Sequence, residues 1–363
     1  MKKSLLFLPD ISGFTNFVQT TEVAHSQHVI SELLEVLLAA NTQDLQLAEI
    51  EGDALFFYKE EEVPSMEKLL AQVETMFTAF YSHLKLLETN RICPCNACAS
   101  APNLQLKIIA HVGELQFITV QDKRKPFGTQ VIEAHRLMKN SVESDNYVLF
   151  SKDLADTIEL SGDYHSKLYT FQTAQNEYDG KAIEYLFSII DKHQLKLKPF
   201  AQAKKVELDC SPSIYQELIF PVAAPQLLEY ITNYRYRHHW VEGVDRFEFN
   251  ENEVTRLGSE HICVINDKHL NFITITKDGQ PGQLIYGELT TEVPIMDETY
   301  QFYIISPINH DSCKLEVEVY LRARSPIKRL IINLVMKRVF GRNLEKSLHK
   351  LLEFIQSDAR SNN

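Results

Sequence analysis

LLFLPDISGFT, residues 5–15, decides how the first half of this chain is read. An apolar run ends at Asp10, and Ser12, Gly13, Phe14 and Thr15 follow as a small-residue turn that opens a helix. Asp10 interrupts the run before a secretory h-region is complete, so the stretch reads as a buried strand. IEGDALFFY, residues 50–58, is its counterpart. Gly52 supplies the permissive backbone of a tight hairpin, and the apolar residues after Asp53 enter another strand. Two aspartates at the ends of adjacent strands, beside a turn of free amides, make a site for a divalent metal carrying phosphates.

Working outward, 25–40 and 65–87 repeat apolar residues at helical spacing, and 46–50, 54–58, 104–111 and 114–120 read as strands. A helix is expected over 127–139, an edge strand over 147–150, a short helix over 152–160, and late strands over 167–171 and 182–189. This order predicts an α+β fold, a βαββαβ-like antiparallel-rich sheet with helices on one face. The lysine-rich stretch 191–204 lacks a strong period and is expected to link two domains, 1–190 and 205–363. Beyond it come a long strand over 206–220, a short helix, a run of antiparallel strands and a long final helix from Pro326. A curved sheet wrapped around that helix is the expected architecture.

The chain has 363 residues, which favours two domains, and its net charge of −12 argues against a general nucleic-acid binder. No apolar run approaches the ~20 residues that span a bilayer, so a cytoplasmic protein with no transmembrane segment is expected. Three of six cysteines crowd into CPCNAC at Cys93, Cys95 and Cys98, which is no secreted disulfide framework. C-x-C-x-x-C supplies most of a tetrahedral zinc site, with His111 or a residue of a partner chain as the fourth ligand. The competing reading is a reduced, redox-sensitive loop cluster.

LPDISGFT, EIEGDALFF, HVGE at 111–114 and FGTQVIEAHRL at 127–137 together resemble the class III nucleotide cyclase domain, in the right order over roughly the first 190 residues. The resemblance implies a ferredoxin-like cyclase domain with Asp10 and Asp53 as ligands of Mg or Mn. It places Ser12, Gly13, Phe14 and Thr15 at the triphosphate, and Arg136 at the charge of the transition state. It also implies a nucleoside triphosphate ligand and a homodimer. Two departures stand out. The family has an asparagine four residues before that arginine, where this chain has Ile132, and an isoleucine cannot orient a ribose. The purine-reading positions hold Glu49 and Lys125, a combination that assigns neither adenine nor guanine.

FPVAAPQLLEYITNYRYRHHWVEGVDRFEF (220–249), RLGSEHIC (256–263) and the last helix resemble the START-like, or polyketide cyclase/dehydrase, superfamily. That implies a helix-grip domain whose apolar cavity holds a lipid or other hydrophobic small molecule. Trp240 beside His238 and His239 reads as a core plug, and His261 with Cys263 as one inward strand face. The final helix is basic and amphipathic; a solvated basic face over a buried apolar one is favoured over a membrane-lying helix. The leading expectation is a ligand-regulated nucleotide-binding protein with divergent, Mg-dependent nucleotidyl cyclase activity. The alternative is a non-catalytic dimeric scaffold that carries or senses a hydrophobic ligand.

Overall fold

The computed structural model describes residues 2–200, 205–251 and 253–361. In it β1 (Ser4–Ser12) is buried at all nine positions, which explains why the opening run lacks alternation. Helices α1 (Phe14–Thr20) and α2 (Val23–Ala39) follow, then β2 (Gln46–Glu51), β3 (Ala54–Lys59), α3 (Met66–Thr89) and the short α4 (Asn96–Ser100). β4 (Gln105–Gly113), β5 (Gln116–Val120), β6 (Lys123–Phe127), α5 (Thr129–Leu137), β7 (Tyr147–Ser151), α6 (Lys152–Thr157), β8 (Gln172–Tyr178) and β9 (Lys181–Ile189) complete this half.

Seven of these strands form one sheet in the order β2-β3-β1-β4-β7-β9-β8, and β5 and β6 form a separate hairpin. β1 runs antiparallel to both β3 and β4, with Asp10 opposite Ala54 on one side and Lys107 on the other. The 147–150 stretch is an interior strand, not an edge: β7 lies parallel to β4 and antiparallel to β9. Its five residues are all buried, which is the burial of a central strand. The expected strand over 167–171 is irregular chain, and the strand that follows it, β8, pairs with β9 on the side away from β7.

The chain divides into two compact units, Met1–Glu88 with Ser100–Phe200, and Thr89–Ala99 with Ala201–Asn363. The second contains β10 (Ile214–Phe220), α7 (Ala224–Thr232), α8 (Tyr234–Trp240), β11 (Arg246–Glu248), β12 (Glu260–Ile265) and β13 (Lys268–Ile275). β14 (Leu284–Thr290), β15 (Glu298–Asn309), β16 (Ser312–Arg322), α9 (Pro326–Ile331) and α10 (Lys337–Ser361) follow. Its sheet is antiparallel throughout, in the order β10-β16-β15-β14-β13-β12-β11. Leu344, Leu348, Leu351 and Ile355 of α10 pack with Phe220, Leu227 and Val317 in its core.

Two expectations fail here. The strand over 206–220 begins only at Ile214. The final helix is interrupted by a π-helical turn, Ile332–Met336, and the apolar residues around that turn face solvent instead of covering a core. No helix among the described residues is long and apolar enough to cross a membrane.

Candidate functional site

The end of β1 and the β2–β3 turn meet because the register requires it. Asp10 pairs with Ala54, the first residue of β3, so Asp53 sits in the turn directly beside it. Ile11 N–H donates to the Asp53 carbonyl at 3.2 Å, tying strand to turn. Gly52 adopts φ of 68°, a left-handed conformation that glycine takes without strain. The two carboxyl groups are hydrogen-bonded, and burial followed by the negative charge of Asp10 pushes Asp53 up to about 6.

Lys107 enters from β4. Its Nζ lies 2.8 Å from Asp10 Oδ2. Burial penalises the ammonium, but the hydrogen bond and charge of Asp10 outweigh that cost and hold Lys107 above its ordinary value. Ser12, two residues beyond Asp10 on the same strand face, has a buried Oγ with no hydrogen-bond partner. A buried hydroxyl of this kind costs about 1–3 kcal/mol unless something pairs with it. Gly13 has φ of 89° and caps α1, Phe14 is half-buried and Thr15 is exposed.

These features test the fit of a divalent cation. Asp10 and Asp53 supply hard carboxylate oxygens suited to one such ion, and the orphaned Ser12 hydroxyl is left for a hydrogen-bonding ligand. A second ion is opposed by the Lys107 ammonium, which already neutralises Asp10.

The remaining sequence candidates are placed as follows. Glu49 and Lys125, the residues expected at a purine edge, form an ion pair with one another at 2.8 Å. Arg136 is paired with Asp179 of the β8–β9 turn. Ile132, one helical turn earlier on α5, is 53% exposed. His111 is buried, with Nδ1 2.8 Å from Ser151 Oγ and Nε2 2.7 Å from Gln130 Oε1. Both ring nitrogens are thereby used, which removes His111 from the cysteine cluster.

Cys93, Cys95 and Cys98 come together within the second unit, their sulfur atoms within 4.8 Å of one another. None of the three cysteines is in a disulfide, and Cys98 N–H donates to Cys95 Sγ at 3.3 Å. Hydrogen bonds of the Cys98 thiol to Cys93 and Cys95 push it up strongly.

In the second unit a cavity of about 280 Å³ is lined by Trp240, Phe247, Phe272 and Phe340 with Arg237 and Glu288 among them. Trp240 is buried, donating from Nε1 to the Tyr230 carbonyl at 3.2 Å, as a core plug should. His238 and His239 are exposed and are not among the residues lining this cavity. Sequence reasoning missed the ionic pair. Arg237 and Glu288 are buried and bonded to each other; burial opposes both charges, yet each partner holds the other ionised. Tyr286 donates to Glu288 at 2.6 Å, and Tyr234 bridges Tyr286 and His261 Nδ1 at 2.9 Å each. His261 Nε2 is 3.5 Å from Glu288 but makes no hydrogen bond, and burial pulls the ring down to about 4.

A family described as protein of unknown function (DUF2652) matches residues 30–147. The uncharacterized protein Rv2561/Rv2562 of Mycobacterium tuberculosis (strain ATCC 25618 / H37Rv) is 28% identical over 132 residues, which are 36% of this chain and 61% of that protein. The chain thus spans about three fifths of the length of this relative. Among solved structures, the guanylate cyclase domain of RhGC from Catenaria anguillulae in complex with GTP is 17% identical at a TM-score of 0.39, covering 52% of this chain and 97% of that one. The catalytic core of a rhodopsin-guanylyl cyclase in complex with ATPalphaS gives 16% and 0.40, covering 52% and 96%. The adenylyl cyclase CyaB from P. aeruginosa gives 16% and 0.37, covering 52% and 94%. At such TM-scores these are likenesses only.

Proposed function

We propose that the first unit is a cyclase-type nucleotide-binding module that holds a nucleoside triphosphate through one divalent cation, Mg or Mn, at Asp10 and Asp53. The observation that carries this reading is the contact between the two carboxyl groups beside the orphaned Ser12 hydroxyl. A cation there would screen the phosphates. Asp10 and Asp53 would hold it, and Ser12 would donate to a phosphate oxygen. Turnover to a cyclic nucleotide is slow in this reading, because Ile132 supplies no hydrogen bond to the ribose and Asp179 occupies Arg136. The test is equilibrium binding of ATP and GTP with Mg²⁺ or Mn²⁺, alongside a search for cyclic product. Metal-dependent binding lost in Asp53→Asn supports the reading, and an absence of metal-dependent binding to either nucleotide removes it.

A second reading has its own support. Leu47, Ile50, Ile118, Val120, Phe127 and Ile132 are exposed on β2, the β5–β6 hairpin and α5. Such a face suits a second copy of the chain, in a scaffold whose second unit carries a hydrophobic ligand. The antiparallel sheet with a long terminal helix and a cavity lined largely by apolar residues supports a helix-grip, START-like reading of that unit. Mass determination in solution and mass spectrometry of co-purified small molecules test the two parts separately.

Zinc is the ion we propose for Cys93, Cys95 and Cys98. Three thiolates supply most of a soft tetrahedral set. One zinc per chain in reduced, chelator-free protein is expected, falling in Cys98→Ser. Metal-free protein, or a disulfide within the cluster, overturns the assignment.

A further inference from the structure

The stretch from Arg324 to Leu344 contains six basic residues and no acidic one, in a chain whose net charge is −12. Its apolar residues are equally unusual in placement. Ile327, Leu330, Ile331, Leu334, Val335 and Val339 are all exposed, with Ile327 at 71% and Leu330 at 59%. Their spacing of three and four residues sets them on one broad side of α9 and its continuation. Of the residues from Pro326 to Val339, only Ile332 is buried.

Folding does not account for this arrangement. Leaving six branched aliphatic side chains exposed forgoes the hydrophobic stabilisation that burial would give. Monomeric proteins rarely keep contiguous apolar patches of this extent without a partner surface. The π-helical turn at Ile332–Met336 widens the helix in the middle of the patch, and such turns often mark functional sites. The N-terminal end is well fixed. Lys328 Nζ bonds Asp297 at 2.6 Å, and Arg329 Nε donates to the Ala323 carbonyl at 2.7 Å. The exposed side chains therefore stand on an anchored helix and not on a frayed one.

We propose that this helical segment docks on an anionic lipid surface, its aliphatic residues entering the headgroup–acyl boundary while Arg338, Arg342 and Lys337 face the lipid phosphates. Two features favour a bilayer over a protein partner. The patch is a convex helix and not a groove, and it interleaves Lys and Arg with Ile, Leu and Val as interfacial helices do. The charge argument is equally direct. A protein this acidic is repelled by an anionic membrane except where its surface is locally basic, so this segment also selects the orientation of approach. The proposal stands independently of the reading of Asp10 and Asp53.

The test is flotation of the full chain with vesicles of phosphatidylcholine alone or mixed with phosphatidylglycerol. Binding is expected only with the anionic mixture, and it should weaken at least tenfold as salt rises from 50 to about 500 mM, where the Debye length becomes short. Leu330→Asn with Leu334→Asn should reduce binding at least tenfold while leaving Trp240 fluorescence unchanged, which separates lost docking from lost folding. Arg338→Gln with Arg342→Gln serves as a second variant that keeps the apolar residues. Absence of binding to either vesicle overturns the proposal, as does undiminished binding by both variants. A dimer in solution that Leu330→Asn with Leu334→Asn dissociates would assign the face to a second copy instead.

Discussion

Lys107 Nζ lies 2.8 Å from Asp10 Oδ2, so a fixed cation already stands where a cyclase-type site would be most negative. The pairing follows from the register of β1 on β4, which places the two residues opposite one another. Lys107→Met should therefore have two opposed effects. Mn²⁺ affinity should rise by about tenfold, since removing a unit charge at this range is worth more than 1.4 kcal/mol at an effective dielectric near 20. Stability without metal should fall by roughly 1–3 kcal/mol, because Asp10 is left buried beside Asp53 with no counter-charge. Calorimetric titration with Mn²⁺ and urea unfolding in chelator measure the two effects separately.

Ile132 is the residue whose replacement should raise turnover. It lies on α5 one turn before Arg136 and is exposed, so an asparagine there can reach a ligand without disturbing the core. Ile132→Asn should increase cyclic product formed with Mn²⁺ by up to about 10²-fold, the size of effect seen when one positioning donor is lost from an active site. Asp179→Ala, which frees Arg136 from its ion pair, should add to that gain. Product from neither variant would mean the first unit binds without catalysing.

The parts of the fold that were legible in the sequence are those fixed locally. β1 announced itself through an unbroken apolar run, and the β2–β3 turn through Gly52, because burial on both faces and a left-handed φ each demand particular residues. What could not be read depends on register across the sheet. Lys107 in LQLKIIAH looks like a solvent-facing strand residue until β4 is laid against β1. Arg237 in YRYRHHW looks like one more exposed base, and Glu288 in YGELT like an outward carboxylate, yet folding buries them together. β7 was misjudged as an edge for the same reason, since five residues carry too little pattern to tell an edge from a centre.

Arg237 and Glu288 should behave as a unit. Arg237 is surrounded by the rings of Tyr234, Trp240, Phe247, Tyr286 and Tyr303, 5.3–5.8 Å from each ring centre, so nothing else compensates Glu288 if the guanidinium is removed. Arg237→Met should destabilise the second unit by about 3–5 kcal/mol, the cost of an unpaired buried charge. Arg237→Met with Glu288→Leu should recover most of that loss, because two apolar residues leave no charge behind. Urea unfolding followed by fluorescence isolates this unit, since Trp240 is the sole tryptophan of the chain.

His261 should make the second unit sensitive to mild acid. It is stacked between Tyr234 and Phe272, with ring centres 4.3 and 5.2 Å away, and the charged groups facing it are Glu288 and Arg237. Burial is the dominant influence and pulls the ring down from 6.5 to about 4 in the folded state. Above the unfolded value of about 6.5 both states hold a neutral ring, and the residue adds no pH dependence. Between 6.5 and 4 the unfolded chain binds a proton that the folded unit refuses, so stability falls as pH falls. At one pKa unit per ~1.4 kcal/mol, the loss between pH 7 and pH 5 should reach about 2 kcal/mol. His261→Gln cannot take up that proton and keeps a hydrogen-bonding group toward Tyr234, so the same acidification should cost it less by that amount. Trp240 fluorescence in urea at the two pH values gives the comparison, and equal losses in both proteins would assign the acid sensitivity to other groups.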